Sequence, residues 1–317
     1  MKSRRPIYIV QLLSDLGANP AKQGAAIGPV ALLNYDRHHQ NFFSSLPITK
    51  IEVAETYSRP GTLYNYAKYV DIIGKHQLEA RARISEIIKT GNFPFILSGD
   101  HSNAATCIAA IRNQNPDKKL GVIWIDAHAD LHTPYTTPSG NMHGMPVAIS
   151  LGIDNNIYDK NKPSDIEVAW WEKLKTQNGL ETNSISPRDI VFVGIRDLEN
   201  EEWDYIHKEK IKYYSPDDIK KANIEQLYNE ILLYFNDYDL LYVSFDVDSL
   251  ESELVPGTGT PVANGLTKEQ AGEILYNLWN TSKLCGFEIA EINPQIEKEI
   301  TLKNVYDVFG TMFSSRV

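Results

Sequence analysis

Thiols are scarce in this chain: 317 residues include only two cysteines, Cys107 and Cys285. They lie far apart and cannot make a disulfide framework, which suits a reducing cytoplasm and leaves core filling as their expected role. Positive charge is also short. Lys and Arg total 31 against 41 Asp and Glu, a net charge of -10. That balance argues against nucleic acid or an anionic membrane as partner and would welcome a cationic ligand. No apolar run is long enough to span a bilayer. The opening MKSRRPIYIVQLL is basic then apolar, as in a signal peptide, but Gln11, Ser14 and Asp15 interrupt it and no clear small-residue cleavage site follows. It reads better as a first strand, and a cytoplasmic protein is expected. No Pro/Gly/Ser-rich linker, low-complexity tract or repeat divides the sequence, so residues 1–317 are expected to form one large α/β domain.

Acids and histidines gather at the ends of hydrophobic runs. Asp126, His128 and Asp130 follow LGVIWI, Asp246 and Asp248 close LLYVSFDVD, and His101 stands in SGDHS after FPFIL. Side chains two apart on an extended segment share a face, so each group can converge. Four carboxylates and two imidazoles suit two divalent ions sharing one bridging water. Oxygen and nitrogen donors without thiolate favour a hard or borderline ion such as Mn²⁺ over a structural zinc site, with Co²⁺ a possible substitute. The carboxylates would offset the ionic charge, and a water between the ions would ionise near neutral pH and serve as nucleophile. That chemistry points to a hydrolase. Any one of these motifs alone could be a strand-end cap with a packed histidine; three at the ends of three predicted strands argue for a site.

Short β-rich runs alternate with helical patterns. The spacing predicts strands over 7–13, 49–53, 94–98, 120–126, 190–195, 211–215, 240–246 and 285–292. Several are apolar on both faces, as strands buried between helix layers should be. Helical periodicity is clearest over 62–90, 102–113, 223–236 and 267–283, where Thr267 and Gln270 make a capping-box start for the last. This alternation predicts a mostly parallel sheet covered on both faces, with the site beyond the carboxyl ends of the strands.

The segment GVIWIDAHADLHTPYTTPSGNMHGMPV resembles the metal and substrate loop of the ureohydrolases, the family of arginase, agmatinase and formimidoylglutamase. SGDHS, SFDVDSLESELVPGTGTPVANGLT and EIAEINP match further family motifs in the same order, and GAAIGP resembles its glycine-rich opening. The resemblance runs from about residue 7 to about residue 310. It implies a three-layer α/β/α fold with an eight-stranded sheet and two Mn²⁺ per chain held by His101, Asp126, His128, Asp130, Asp246 and Asp248.

Roles follow from the same likeness. Asp130 matches the aspartate that binds metal while accepting a proton from the attacking water. Glu291 matches the glutamate that pairs with the substrate guanidinium, although a lone Glu there could equally cap a helix. His143, in GNMHG, matches the proton shuttle, and an imidazole titrating near neutrality suits that work. Thr137, Ser139 and Asn141 match groups that in arginases receive the α-carboxylate of arginine; agmatine lacks that carboxylate. Glu199 and Glu202 fall where arginases place acids near the α-amino group, and Thr260 matches a residue near the guanidinium. Acidic helix starts and turns are the plainer roles for these three.

Departures from the pattern are as informative. His132 replaces an asparagine that contacts the α-carboxylate, and Glu199 replaces the usual aspartate. SGDHS stands for GGDHS, and SLES for a Gly-Leu-Asp-Pro turn. Residues 152–187 are longer and more polar than a strand–helix connection needs, and are expected beside the site as a support or lid. Arginases are commonly trimers or hexamers. Here Glu269 and Gln270 occupy the place of an Arg-Glu pair used in trimer contacts, and the tail of animal arginases is absent, so a trimer lacks its usual sequence support, and a monomer or a differently built homo-oligomer stays open. The expected substrate is a small guanidino compound, L-arginine first, with agmatine, a guanidino acid or formimidoylglutamate as alternatives; a catalytically silent binding subunit is the reading from another class.

Overall fold

The computed structural model describes residues 5–53, 62–155, 158 and 160–313. Its order is β1 (Ile7–Leu13), α1 (Gly28–Arg37), β2 (Ile48–Glu52), α2 (Val70–Lys89), β3 (Phe93–Ser98), α3 (Ala104–Gln114), β4 (Leu120–Ile125), α4 (Pro146–Leu151) and α5 (Asp165–Lys175). It continues with β5 (Ile190–Val193), α6 (Asn200–Glu209), β6 (Lys212–Tyr214), α7 (Pro216–Lys221), α8 (Ile224–Tyr234), β7 (Leu240–Asp246), α9 (Lys268–Asn280), β8 (Leu284–Ala290) and α10 (Glu299–Phe313). The eight strands form one sheet in the order β2-β1-β3-β8-β7-β4-β5-β6. Every neighbouring pair is parallel. The fold is therefore the α/β class expected, and all carboxyl ends lie on one edge. No helix among the described residues is long and apolar enough to cross a membrane.

Successive strand residues point to opposite faces, so the sheet feeds two cores. Phe95, Ile123, Val243 and Phe287 pack with α1, α8, α9 and α10 on one face. Ile96, Val122, Trp124 and Tyr242 pack with α2 and α3 on the other. Cys107 and Cys285 lie unpaired within this second core, as filling. A third cluster joins Tyr69, Ile73, Met142, Met145, Trp171 and Leu174, tying α2, α4 and α5 together beside the sheet edge.

Boundaries moved where local chemistry overrode periodicity. The helix expected from residue 62 starts at Val70, because Tyr69 sits in the left-handed region at φ 56° and keeps the helix from extending upstream. The strand expected to reach residue 195 stops at Val193, where Gly194 turns the chain at φ 96°. The last expected strand stops at Ala290, before Glu291 at φ 68°. Helix α9 keeps its capping box of Thr267 and Gln270 but ends at Asn280, since Thr281 is extended.

Candidate metal centre

The strands β3, β8, β7 and β4 are consecutive neighbours, so whatever follows each of them meets at the centre of the carboxyl edge. His101 opens a short 3-10 turn after β3, Glu291 follows β8, Asp246 ends β7, and Asp248 lies in the next turn. Asp126, His128 and Asp130 occupy the loop after β4. The two-residue spacing works differently from the extended-strand expectation: the chain leaves the strand at once, and the carboxylates themselves close the turns. Asp126 Oδ1 accepts from the His128 N–H at 2.8 Å, and Asp246 Oδ1 accepts from the Asp248 N–H at 2.8 Å. Asp130 completes its loop at φ 51°. Capping and ligation are thus compatible: Asp246 caps with Oδ1 and faces His101 with Oδ2, whereas Asp126 Oδ1 both caps its turn and faces His128, leaving Oδ2 toward His101.

His101 Nδ1 lies 3.0 Å from Asp126 Oδ2, 3.1 Å from Asp246 Oδ2 and 3.3 Å from Asp130 Oδ2. His128 Nδ1 lies 3.1 Å from Asp248 Oδ2 and 3.4 Å from Asp126 Oδ1. Two ligand groups result, His101–Asp126–Asp246 and Asp126–His128–Asp248, each with its atoms within 4.8 Å of one another and with Asp126 common to both. One ring nitrogen cannot serve three carboxylate oxygens, and His101 Nδ1 and Asp130 Oδ2 are both buried without a hydrogen-bond partner. A divalent cation in each group would satisfy them, so these residues fit a binuclear centre.

The electrostatics agree. Burial works against charge on His101, yet Asp126, Asp130 and Asp246 hold its pKa well above the ordinary value. Burial and the neighbouring Asp126 push Asp130 up to about 6. Burial, Asp248 and Asp126 likewise raise Asp246. Negative charge is packed here beyond what the imidazoles balance, and cations relieve it.

Several supporting residues are absent from the sequence reading. His101 Nε2 meets Ser244 Oγ at 2.8 Å, and Ser244 in turn donates to Glu288, which is fully buried. Trp124 stacks on His101 at 4.2 Å and donates its indole N–H to Asp126 at 2.9 Å. Such partners fix ring orientation at metal ligands. Arg196 donates to the carbonyls of Asp248, Leu250 and Val262, holding the loop after β7 in place. Asp197 Oδ2 stands 3.7 Å from His128 Nε2 at the rim. Ser244 and Trp124 sit two residues before Asp246 and Asp126 on the same strand faces, a spacing that could have identified them.

A cleft opens over the centre. Thr137, Ser139, Asn141 and His143 line one side. His132, Glu199, Glu202 and Thr260 line the other parts of its wall. His132 Nε2 meets Glu199 Oε2 at 2.9 Å and stands 3.5 Å from Glu202 Oε2. The His132 hydrogen bond draws Glu199 down to about 2, whereas burial pushes Glu202 up to about 7. Thr260 Oγ1 donates to Asp248 Oδ2 at 3.0 Å. Glu291 lies behind His143: its Oε1 accepts from the His101 N–H at 2.9 Å and stands 3.2 Å from His143 Nδ1. Burial opposes charge on His143, but the Glu291 contact raises its pKa.

A profile of the Arginase family matches residues 6–314. The chain belongs to the arginase family. An arginase of Staphylococcus aureus strain MRSA252 is 30% identical over 327 residues, covering 99% of this chain and 98% of that one. An arginase of Entamoeba histolytica is 31% identical over 248 residues, 78% and 77% of the two chains. A solved Entamoeba histolytica arginase in complex with L-ornithine superposes with a TM-score of 0.84 at 27% identity, covering 98% and 99%. Membership makes this chain a hydrolase. Two described residues of the 152–187 segment reach this region: Glu167 of α5 accepts from the Tyr66 and Ala67 N–H groups, and Asn161 Nδ2 donates to the Thr137 carbonyl at 2.7 Å.

Proposed function

We propose that this protein is a manganese-dependent arginase acting as one catalytic domain, converting L-arginine and water to L-ornithine and urea. The observation that carries the reading is the shared cleft: Thr137, Ser139 and Asn141 face the same opening as His101, His128, Asp246 and Asp248. Two divalent ions held by His101, Asp126, His128, Asp130, Asp246 and Asp248 would polarise a water into a nucleophile near neutral pH. Asp130, whose Oδ2 lies 3.3 Å from His101 Nδ1 beside the ligand groups, would accept a proton from that water. Glu291 has one oxygen engaged by His101 and His143 and offers Oε2, which faces Gly259, to the guanidinium. Thr260 lines the same cleft and is held by Asp248. His143, whose pKa the Glu291 contact raises against the effect of burial, delivers a proton to the leaving amine. The hydroxyls and amide of 137–141 receive the α-carboxylate, and Glu199 and Glu202 receive the α-amino group.

A second substrate reading rests on His132. Because its ring engages both Glu199 and Glu202, the acids that would read an α-amino group are partly occupied, which favours a guanidino compound without one. Initial rates of the manganese-loaded chain with L-arginine, with agmatine, which keeps the amino group but lacks the carboxylate, and with 4-guanidinobutyrate, which lacks the amino group, separate these readings. The proposal expects L-arginine to have the highest kcat/KM; preference for agmatine would overturn it.

A further inference from the structure

Lys68 lies outside every motif considered so far, in the turn before α2. Its Nζ donates to Asn141 Oδ1 at 3.0 Å, and its backbone N–H donates to the Gly140 carbonyl at 2.8 Å. An ammonium group only donates, so the lysine selects which end of the Asn141 amide it meets. The oxygen is taken, and the Asn141 NH₂ has no protein partner among the described residues. Asn141 lines the cleft, so that donor is left for a ligand. No carboxylate pairs with Lys68 among the described residues, which leaves a positive charge behind a loop whose cleft is otherwise rich in acids. The placement is built: Glu167 Oε1 accepts from Tyr66 N–H at 2.7 Å and Ala67 N–H at 2.9 Å, fixing the residues just before Lys68.

We propose that Lys68 is a positioning residue for substrate specificity: it holds the Asn141 amide with its N–H groups toward the cleft and adds positive potential, so that the site prefers ligands bearing an α-carboxylate. This rests on the reading of residues 137–141 as the carboxylate-binding loop. L-Ornithine and putrescine differ only in that carboxylate, so their binding to the metal-loaded chain tests the inference without depending on turnover.

Calorimetry on the wild type, Lys68→Met, Lys68→Gln, Lys68→Arg, Asn141→Ala and the Lys68→Met/Asn141→Ala double variant gives the answer. Lys68→Met weakens ornithine by about tenfold, the scale of a hydrogen bond to a charged group, and leaves putrescine and metal content unchanged. Lys68→Gln behaves like Lys68→Met, giving a second uncharged variant should methionine impair folding. Lys68→Arg restores most of the preference. The double variant is weaker than Asn141→Ala by clearly less than the tenfold that Lys68→Met costs alone, because the two changes share the amide contact and only the positive potential remains to be lost. Equal weakening of both ligands, or fully additive effects, would overturn the role of Lys68. A wild type that binds ornithine and putrescine equally would instead overturn the reading of the loop, and the Lys68 inference with it.

Discussion

Replacing His143 by alanine separates chemistry from architecture. The backbone N–H of His143 donates to the Gly17 carbonyl at 3.0 Å, an anchor the substitution keeps. The imidazole itself touches Glu291 at 3.2 Å, and Glu291 Oε1 retains the His101 N–H at 2.9 Å, so no buried carboxylate is orphaned. Loss of that one charged hydrogen bond should cost no more than about 3 kcal/mol of stability. Loss of a proton donor should lower kcat by about 10²–10⁴-fold, or about 3–5 kcal/mol of barrier. Metal content should hold, since the His143 ring bonds Glu291 and belongs to neither ligand group. The assay is urea release from L-arginine, with metal analysis and thermal melting on the same preparation. Near wild-type kcat would remove His143 from the mechanism, and a joint fall of metal content and rate would make it a ligand.

Two further outcomes follow from buried groups. His76 is 4% exposed and burial lowers its pKa from 6.5 to about 4, so it folds neutral; its contribution is full above pH 6.5 and lost as pH falls through about 4. That gap is worth about 3 kcal/mol, and urea titrations across this range should show a flatter pH slope for His76→Leu, an unchanged slope refuting the assignment. Gly140 has φ 75°, and a Cβ there would sit 2.0 Å from the Asn65 carbonyl oxygen. Gly140→Ala should therefore cost about 2 kcal/mol or more and weaken L-arginine binding by parting Lys68 from Asn141; wild-type melting and KM would contradict this.

The sheet was legible because fully buried strands between helix layers carry dense apolar runs, and each of the eight expected strands is present within a few residues. The six residues proposed as ligands were legible as a group because acid–X–acid and acid–X–histidine patterns at strand ends are costly without a cation, and the fold brings them together at the carboxyl edge. What periodicity could not supply was the turn chemistry: Tyr69, Asp130 and Glu291 adopt left-handed backbones that no apolar pattern signals. Several short helices also escaped. In α5 the Ser164–Glu167 capping box lies in a polar stretch, and Glu167 is buried by contacts a hundred residues away at Tyr66 and Ala67. Lys68 and Arg196 share that property: their roles come from tertiary contacts with distant backbone or side chains.

The most direct test counts metal ions in Asp126→Asn. Asp126 is the one residue common to both ligand groups, its Oδ1 facing His128 and its Oδ2 facing His101. Manganese-loaded wild type, desalted and analysed for metal against protein, should carry two ions per chain, one for each ligand group. Asp126→Asn, treated identically, should lose affinity at both positions and retain well under two, while Asp197→Asn at the rim keeps the wild-type count. Two ions bound to Asp126→Asn with wild-type affinity would contradict the shared-carboxylate centre.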